Sequence, residues 1–229
     1  MKIEVTDIEH FLVVQEPSYI RQYVVCSLIF LILPSLLAMI CDPFIPCLFN
    51  LFLAITFVMS IFSLIILFNA VRYQILYSLY TGIISLAISI VYYLCFYKLV
   101  FIALKINTPI IKYSSIIIYV ALIMAVFILP FHFIKKGYYS SNRKISERSQ
   151  KINSNAAGII GCTTGLGLSL GRFLTDYGSY NTILFGSGIA CLILSLCIIL
   201  GIPNIHKYFI MKKFINYVSL YQEEKSDTI

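Results

Sequence analysis

Long apolar runs alternate with short polar segments along the whole chain. A helix needs about 20 apolar residues to cross a hydrocarbon layer of about 30 Å, and the runs have that length. The pattern predicts an all-α fold, a polytopic transmembrane helix bundle with about six spans. The predicted spans lie at about 23–40, 46–68, 75–97, 114–134, 155–173 and 182–202.

Basic residues are divided unevenly between the segments that connect these runs. With the N-terminus in the cytoplasm, 13 of the 17 Lys and Arg residues lie on the cytoplasmic side and four lie outside. Cytoplasmic loops of membrane proteins carry such an excess. A five-span arrangement without 155–173 would move the basic tail outside and remove the asymmetry. We therefore predict six spans with the N-terminus and the C-terminus both cytoplasmic, in the cytoplasmic (inner) membrane.

The spans and connections divide the chain into five parts. These are a short cytoplasmic N-terminal segment (1–21), four bulky apolar spans (22–134), a basic cytoplasmic loop (135–154), two Gly-rich spans (155–203) and an amphipathic cytoplasmic tail (204–229). The N-terminal segment is acidic, and its first apolar run begins only after Arg21, which is unlike a signal peptide. Weak alternation in that segment favours two short strands.

Three further segments receive a structural expectation. The stretch "KLVFIALKINTP" after the third span is expected to lie along the membrane interface. The sixth span is expected to stop at Pro203. The tail "HKYFIMKKFINYVSLYQ" has apolar and basic residues at near-helical spacing, which is typical of an interfacial helix.

Composition and charge narrow the range of functions. The chain is 60% hydrophobic and 12% charged, with a mean hydropathy of +0.91, which is far from a soluble domain. All ten Asp and Glu residues fall in predicted loops or tails, so no carboxylate is placed to carry a proton or sodium ion across the membrane. The excess of basic residues is explained by topology and does not indicate nucleic-acid binding.

The sequence carries little that indicates catalysis or metal binding. It contains no HExxH motif, and its seven cysteines show no CxxC or Cys/His spacing. The letters GxSxG occur once, at Gly167–Gly171, inside a predicted membrane helix rather than at the strand-to-helix turn of a nucleophile elbow. Most cysteines lie inside apolar runs, where we interpret them as small packing residues. A Cys41–Cys47 bridge at the first outer turn is the alternative. We therefore expect no enzymatic activity, no cofactor and no metal.

The stretch "NSNAAGIIGCTTGLGLSLGRFL", residues 153–174, is the most unusual part of the chain. It lacks the lysine of a phosphate-binding GxxxxGK[ST] loop. As a membrane helix it places small residues at four-residue intervals, which allows two helix backbones to approach closely. The small-residue stripe consists of Ala157, Gly161, Gly165 and Ser169, and a second GxxxG pair is formed by Gly167 and Gly171.

Three alternative helix contacts could involve this stripe. The first is packing between the fifth and sixth spans, since nine of the chain's eleven glycines lie between Gly158 and Gly201. The second is self-association into a homo-oligomer. The third is a helix of another protein, including a pore-forming one.

The C-terminal third also carries a resemblance. Its basic loop, the stretch 153–174, the following apolar span and "HKYFIMKKF" together resemble small polytopic bacterial membrane proteins of the toxin-immunity or defence type. The resemblance implies a protein partner and action by lateral helix contact, without turnover, against a membrane-active toxin or within a defence or secretion assembly. The alternative is a small channel or a transporter of uncharged solutes, lined by the polar "CTTG" and "GLS" segments.

Overall fold

The structure, a computed structural model, describes residues 12, 14–40, 42–106, 108–135, 179–218 and 220. All regular secondary structure in this part of the chain is helical. The α-helices are α1 (Pro17–Ile40), α2 (Pro46–Phe68), α3 (Gln74–Tyr97), α4 (Pro109–Lys135), α5 (Tyr180–Ile198) and α6 (Asn204–Lys213). Shorter helical turns are a π-helical segment at Lys98–Ala103 and 3₁₀ turns at Ile199–Gly201 and Ile215–Tyr217.

Five helices of the described part are long and apolar enough to cross a membrane. They are α1, α2, α3 with its π-helical extension, α4, and α5 together with α6. The second span begins and ends at the predicted residues, Pro46 and Phe68. The predicted fifth span, the basic loop and nearly all of the proposed N-terminal strands lie outside the described residues.

Two spans begin earlier than the apolar runs indicated. The first starts at Pro17 rather than near Tyr23, and the fourth starts at Pro109 rather than near Ser114. Both helices begin with proline, which is favoured in the first turn because its missing N–H would have no partner there. Polar residues near a helix end can be helical although hydropathy alone assigns them to a loop.

Helix α3 is the centre of the bundle. It contacts α1, α2, α5 and α6 and is the most buried of the five spans. Its side chains Tyr80, Ile84 and Val91 are completely enclosed. The outer helices turn many large apolar residues outward, as Ile29, Phe57 and Ile117 do. Such outward apolar faces suit helices whose solvent is hydrocarbon.

The last third of the described chain runs antiparallel to α3. Ser89 near the middle of α3 contacts Ser195 of α5, and Ser78 near its start contacts Met211 at the end of α6. Residues further along α5 and α6 therefore contact residues nearer the start of α3. The two partners cover most of the length of α3.

Helix α4 runs in the same direction as α5. Tyr119 lies beside Ser195, and the carbonyl oxygen of Phe127 lies 2.7 Å from Nε2 of His206. Pro130 has no N–H to donate to the Val126 carbonyl, so the hydrogen-bond pattern is interrupted in the turn of α4 that also carries Phe127. Because α4 and α5 are parallel, α4 ends at one end of the bundle and α5 starts at the other.

Two expectations for connecting segments were wrong. The stretch after α3 does not leave the bundle, because Lys98–Ala103 continues as a π-helical turn in which Lys98, Val100 and Phe101 are buried. Pro203 does not end the helical region, since it follows the 3₁₀ turn by two residues and directly precedes α6. Helix α6 has the predicted helical spacing, yet its Met211 is buried against α3.

Candidate functional site

A cavity of about 420 Å³ lies between α1, α3 and α5. Its floor is formed by buried residues of α1 and by the end of α3, including Pro34, Tyr92 and Lys98. Its rim carries Leu33 and Leu37 of α1, which are 58% and 56% exposed. The volume falls in the usual range of small-molecule sites, about 300–1,000 Å³.

Lys98 is the only buried Lys or Arg in the described part of the chain. Its Nζ donates a hydrogen bond to the carbonyl oxygen of Ala38, in the last turn of α1. The carbonyls at a helix C-terminus lack partners within the helix and form the negative end of its dipole, so a cation is stabilised there. This contact fixes the ammonium group at one end of the cavity.

The π-helical segment gives this region its shape. Gly188 of α5 packs on it so closely that a β-carbon would lie 2.5 Å from Cγ2 of Val100. A π-helical turn widens the helix locally, and such turns are frequent at functional sites. Within this one turn, Lys98 contacts α1 and Val100 contacts α5.

A first hydroxyl cluster joins α1, α2 and α3. The Tyr80 hydroxyl lies 2.8 Å from Oγ of Ser27 and 2.8 Å from Oγ of Ser63. Each serine can also donate to a carbonyl of its own helix. The three hydroxyl protons can make three of these four contacts hydrogen bonds at any one time, and each hydroxyl has a partner. The cluster is uncharged, connects three helices by hydrogen bonds and contains no acid or base for catalysis.

A second hydroxyl cluster joins α3, α4 and α5. Oγ of Ser89 lies 2.6 Å from the Tyr119 hydroxyl and 3.0 Å from Oγ of Ser195. The Ser195 hydroxyl also donates to the carbonyl of Ser89, over 2.8 Å. The Tyr119 ring stacks on the ring of Tyr93 with centroids 3.9 Å apart. This cluster attaches α4, the least buried span, to the bundle.

The described helices use small residues where α3 meets α5 and α6. A β-carbon on Gly82 would lie 2.8 Å from the backbone nitrogen of Ile205. Ser85 packs in the same way against Gly201, one turn further along α3. Because these residues are small, the two helix backbones approach each other closely at these points.

The contact residues predicted from the sequence lie elsewhere. Ala157, Gly161, Gly165, Gly167, Ser169 and Gly171 are all outside the described residues, so their contacts remain a prediction. Sequence reasoning missed the small residues of α3, because the first four spans were interpreted as uniformly bulky. The signal was present in the spacing of Ser78, Gly82, Ser85 and Ser89.

The cysteines agree in part with the packing interpretation. Cys95 is buried and Cys191 is half-buried, whereas Cys26, Cys47 and Cys197 are exposed on the helices. Cys47 is a free thiol in the structure, and Cys41, its partner in the alternative bridge, lies outside the described residues. Among the described residues no group of His, Cys, Asp and Glu is arranged to hold a metal ion.

Comparisons with protein-family models, with curated proteins and with solved structures gave no match.

Proposed function

We propose that this chain is a non-enzymatic multi-pass protein of the cytoplasmic membrane that acts by helix–helix contact with another protein. The small-residue stripe of 157–169 is the contact surface in this proposal. The described helices form the scaffold that holds the stripe in the bilayer.

The observation that carries the proposal is the position of Gly188 in α5 and of Gly201 in the 3₁₀ turn after it. Gly188 faces Val100, and Gly201 faces Ser85, so both glycines pack on the central helix α3. Packing of the fifth and sixth predicted spans through these two glycines is therefore disfavoured. A stripe of small residues can instead receive a helix from a second protein, since close backbone approach is what such stripes permit.

The charge of the spans supports contact rather than transport. Acidic residues are absent from α1 to α6, and the buried side chains of this part of the bundle are apolar or carry hydroxyl groups, apart from Gln74, Lys98 and His206. Ion-coupled transport normally places ionisable groups on the pathway through the membrane. Within the apolar spans, the outward faces of these helices present large apolar side chains to a partner, as Ile29, Phe57 and Ile117 do.

The parallel direction of α4 and α5 supports six spans. Lys135 ends α4 at the end of the bundle where α3 begins, while Tyr180 begins α5 at the opposite end. If both helices cross the bilayer, the chain between them has to cross it once more. The predicted span at 155–173 is the only apolar run available for this crossing.

The narrower assignment follows the resemblance of the C-terminal third. It favours an immunity protein against a membrane-active toxin, or the membrane subunit of a bacterial defence or secretion assembly. A small channel or uncharged-solute transporter would instead use the stripe for assembly of identical subunits.

Native mass spectrometry of the protein, extracted from its own membranes in a mild detergent, tests the proposal. We expect a complex with one foreign protein in fixed stoichiometry. Gly165→Leu fills the stripe and should release the partner. Thr163→Leu adds similar bulk on the opposite face of the predicted helix and should not. Release by both variants, or a homo-oligomer without a partner, would contradict the proposal, and the latter would favour the channel.

A further inference from the structure

We propose that the cavity between α1, α3 and α5 binds a single-chain amphiphile with an anionic head group, of which a fatty acid carboxylate is the simplest example. The head group lies at Lys98, and the chain lies against the apolar walls. This site is independent of the helix contact proposed above.

The lining of the cavity fits an aliphatic chain. Leucines from all three helices contribute, namely Leu37 of α1, Leu99 at the end of α3 and Leu184 of α5. Burying such a chain against them is favourable by the same apolar contact that fills protein cores. The cavity of about 420 Å³ accepts one chain of moderate length.

The charge at the floor selects the head group. Lys98 lines the cavity and is 3% exposed, so its ammonium group is held away from water. Attraction between opposite charges is much stronger in such surroundings than in water. A lysine ammonium has three N–H donors, and a carboxylate is a strong acceptor for them. Head groups with a positive charge are repelled at the same position.

The opening of the cavity indicates how the ligand enters. The exposed residues at its edge are Leu33 and Leu37 on α1 and Ser187 on α5, so the mouth lies on the side of the bundle between two spans. An amphiphile dissolved in the bilayer reaches such an opening by lateral diffusion. A strictly water-soluble anion would have to cross the apolar rim.

Cys191 provides a reporter that needs no added label. It lines the cavity and is half-buried, while Cys197 lies outside the cavity on the same helix and is exposed. The full chain is placed in nanodiscs of zwitterionic lipid and treated with N-ethylmaleimide, and each cysteine is quantified by peptide mass spectrometry. Dodecanoate, dodecanol and dodecyltrimethylammonium are compared as probes.

The expected result is selective protection. Dodecanoate should slow labelling of Cys191 by about tenfold at ten times its Kd, because only the empty site reacts. Labelling of Cys197 should not change. Dodecanol and the cationic probe should protect weakly. Equal protection by all three probes would overturn the role of Lys98, and absence of protection would overturn the site.

Substitutions distinguish the role of the Lys98 charge in binding from its role in folding. Lys98→Met should abolish protection by dodecanoate, whereas Lys105→Met, at an exposed lysine shortly after the π-helical segment, should leave it intact. Ser187→Phe, at the exposed rim, is the second variant if Lys98→Met does not purify as a folded protein. The phenylalanine should block entry of the ligand and so abolish protection of Cys191 by dodecanoate. Protection that persists in Ser187→Phe and in a folded Lys98→Met would overturn the proposal. Protection by an anionic phospholipid but not by dodecanoate would overturn the single-chain ligand.

Discussion

Gly201 packs directly against Ser85, so that a β-carbon on the glycine would lie 2.7 Å from the β-carbon of the serine. This contact joins the 3₁₀ turn after α5 to the middle of α3. The chain therefore relies on small residues inside the described bundle, as it was predicted to do in the glycine-rich stretch. Bulk added at this interface should separate the helices.

Gly82→Ala is expected to destabilise the protein. The new methyl group would meet the backbone nitrogen of Ile205, which cannot move without displacing α6. Overpacking of this kind costs about 1–3 kcal/mol. Unfolding in mixed micelles with increasing denaturing detergent measures the loss. Ala121→Leu, on an exposed position of α4, is the control and should change stability little.

Tyr80→Phe should lower stability by about 1 kcal/mol, a typical value for hydrogen bonds between membrane helices. The substitution removes the hydroxyl that joins Ser27 to Ser63 but keeps the ring. The same unfolding measurement on Tyr113→Phe, an exposed tyrosine of α4, should show no loss. Equal effects of both substitutions would mean that the cluster contributes nothing specific.

Tyr119 should control the attachment of α4. Tyr119→Leu removes both the stacking on Tyr93 and the hydroxyl contacts with Ser89 and Ser195, whereas Tyr119→Phe removes only the latter. Hydrogen exchange of α4 amides should accelerate strongly in the leucine variant and moderately in the phenylalanine variant. Unchanged exchange in the leucine variant would show that other contacts hold α4.

The parallel arrangement of α4 and α5 predicts where their starts lie in the membrane. Thr108→Cys and Ser179→Cys precede these helices and should react with an impermeant maleimide from the same side of intact cells. Tyr217→Cys follows α6 and should react only after the membrane is opened. The wild-type protein gives the background from its own cysteines. Labelling of positions 108 and 179 from opposite sides would contradict six spans.

The apolar pattern predicted the helical class and the approximate position of every described span. It could not place Lys98, because hydropathy counts a lysine as polar and cannot reveal that the end of α1 covers it. The continuation beyond Pro203 was also missed. The proline interrupts the hydrogen-bond pattern, yet the burial of Met211 against α3 keeps the following helix on the bundle.

The cavity was beyond the reach of sequence reasoning for a similar reason. Pro34, Cys95 and Cys191 come from three separate helices, and only the packing angle of these helices brings them together. The second hydroxyl cluster is different in part, because its Ser89 belongs to the small-residue spacing that is visible on α3. The sequence did not show that Tyr80 and Tyr119 are the tyrosines that the serines contact.

The most direct test of the account is photo-crosslinking in native membranes from two neighbouring positions of the predicted fifth span. A benzophenone amino acid at position 168 lies on the face of the small-residue stripe, and one at position 170 lies on the opposite face. The account predicts a single adduct with a different protein from position 168 and none from position 170. Adducts with a second copy of this chain alone, or identical adducts from both positions, would contradict it.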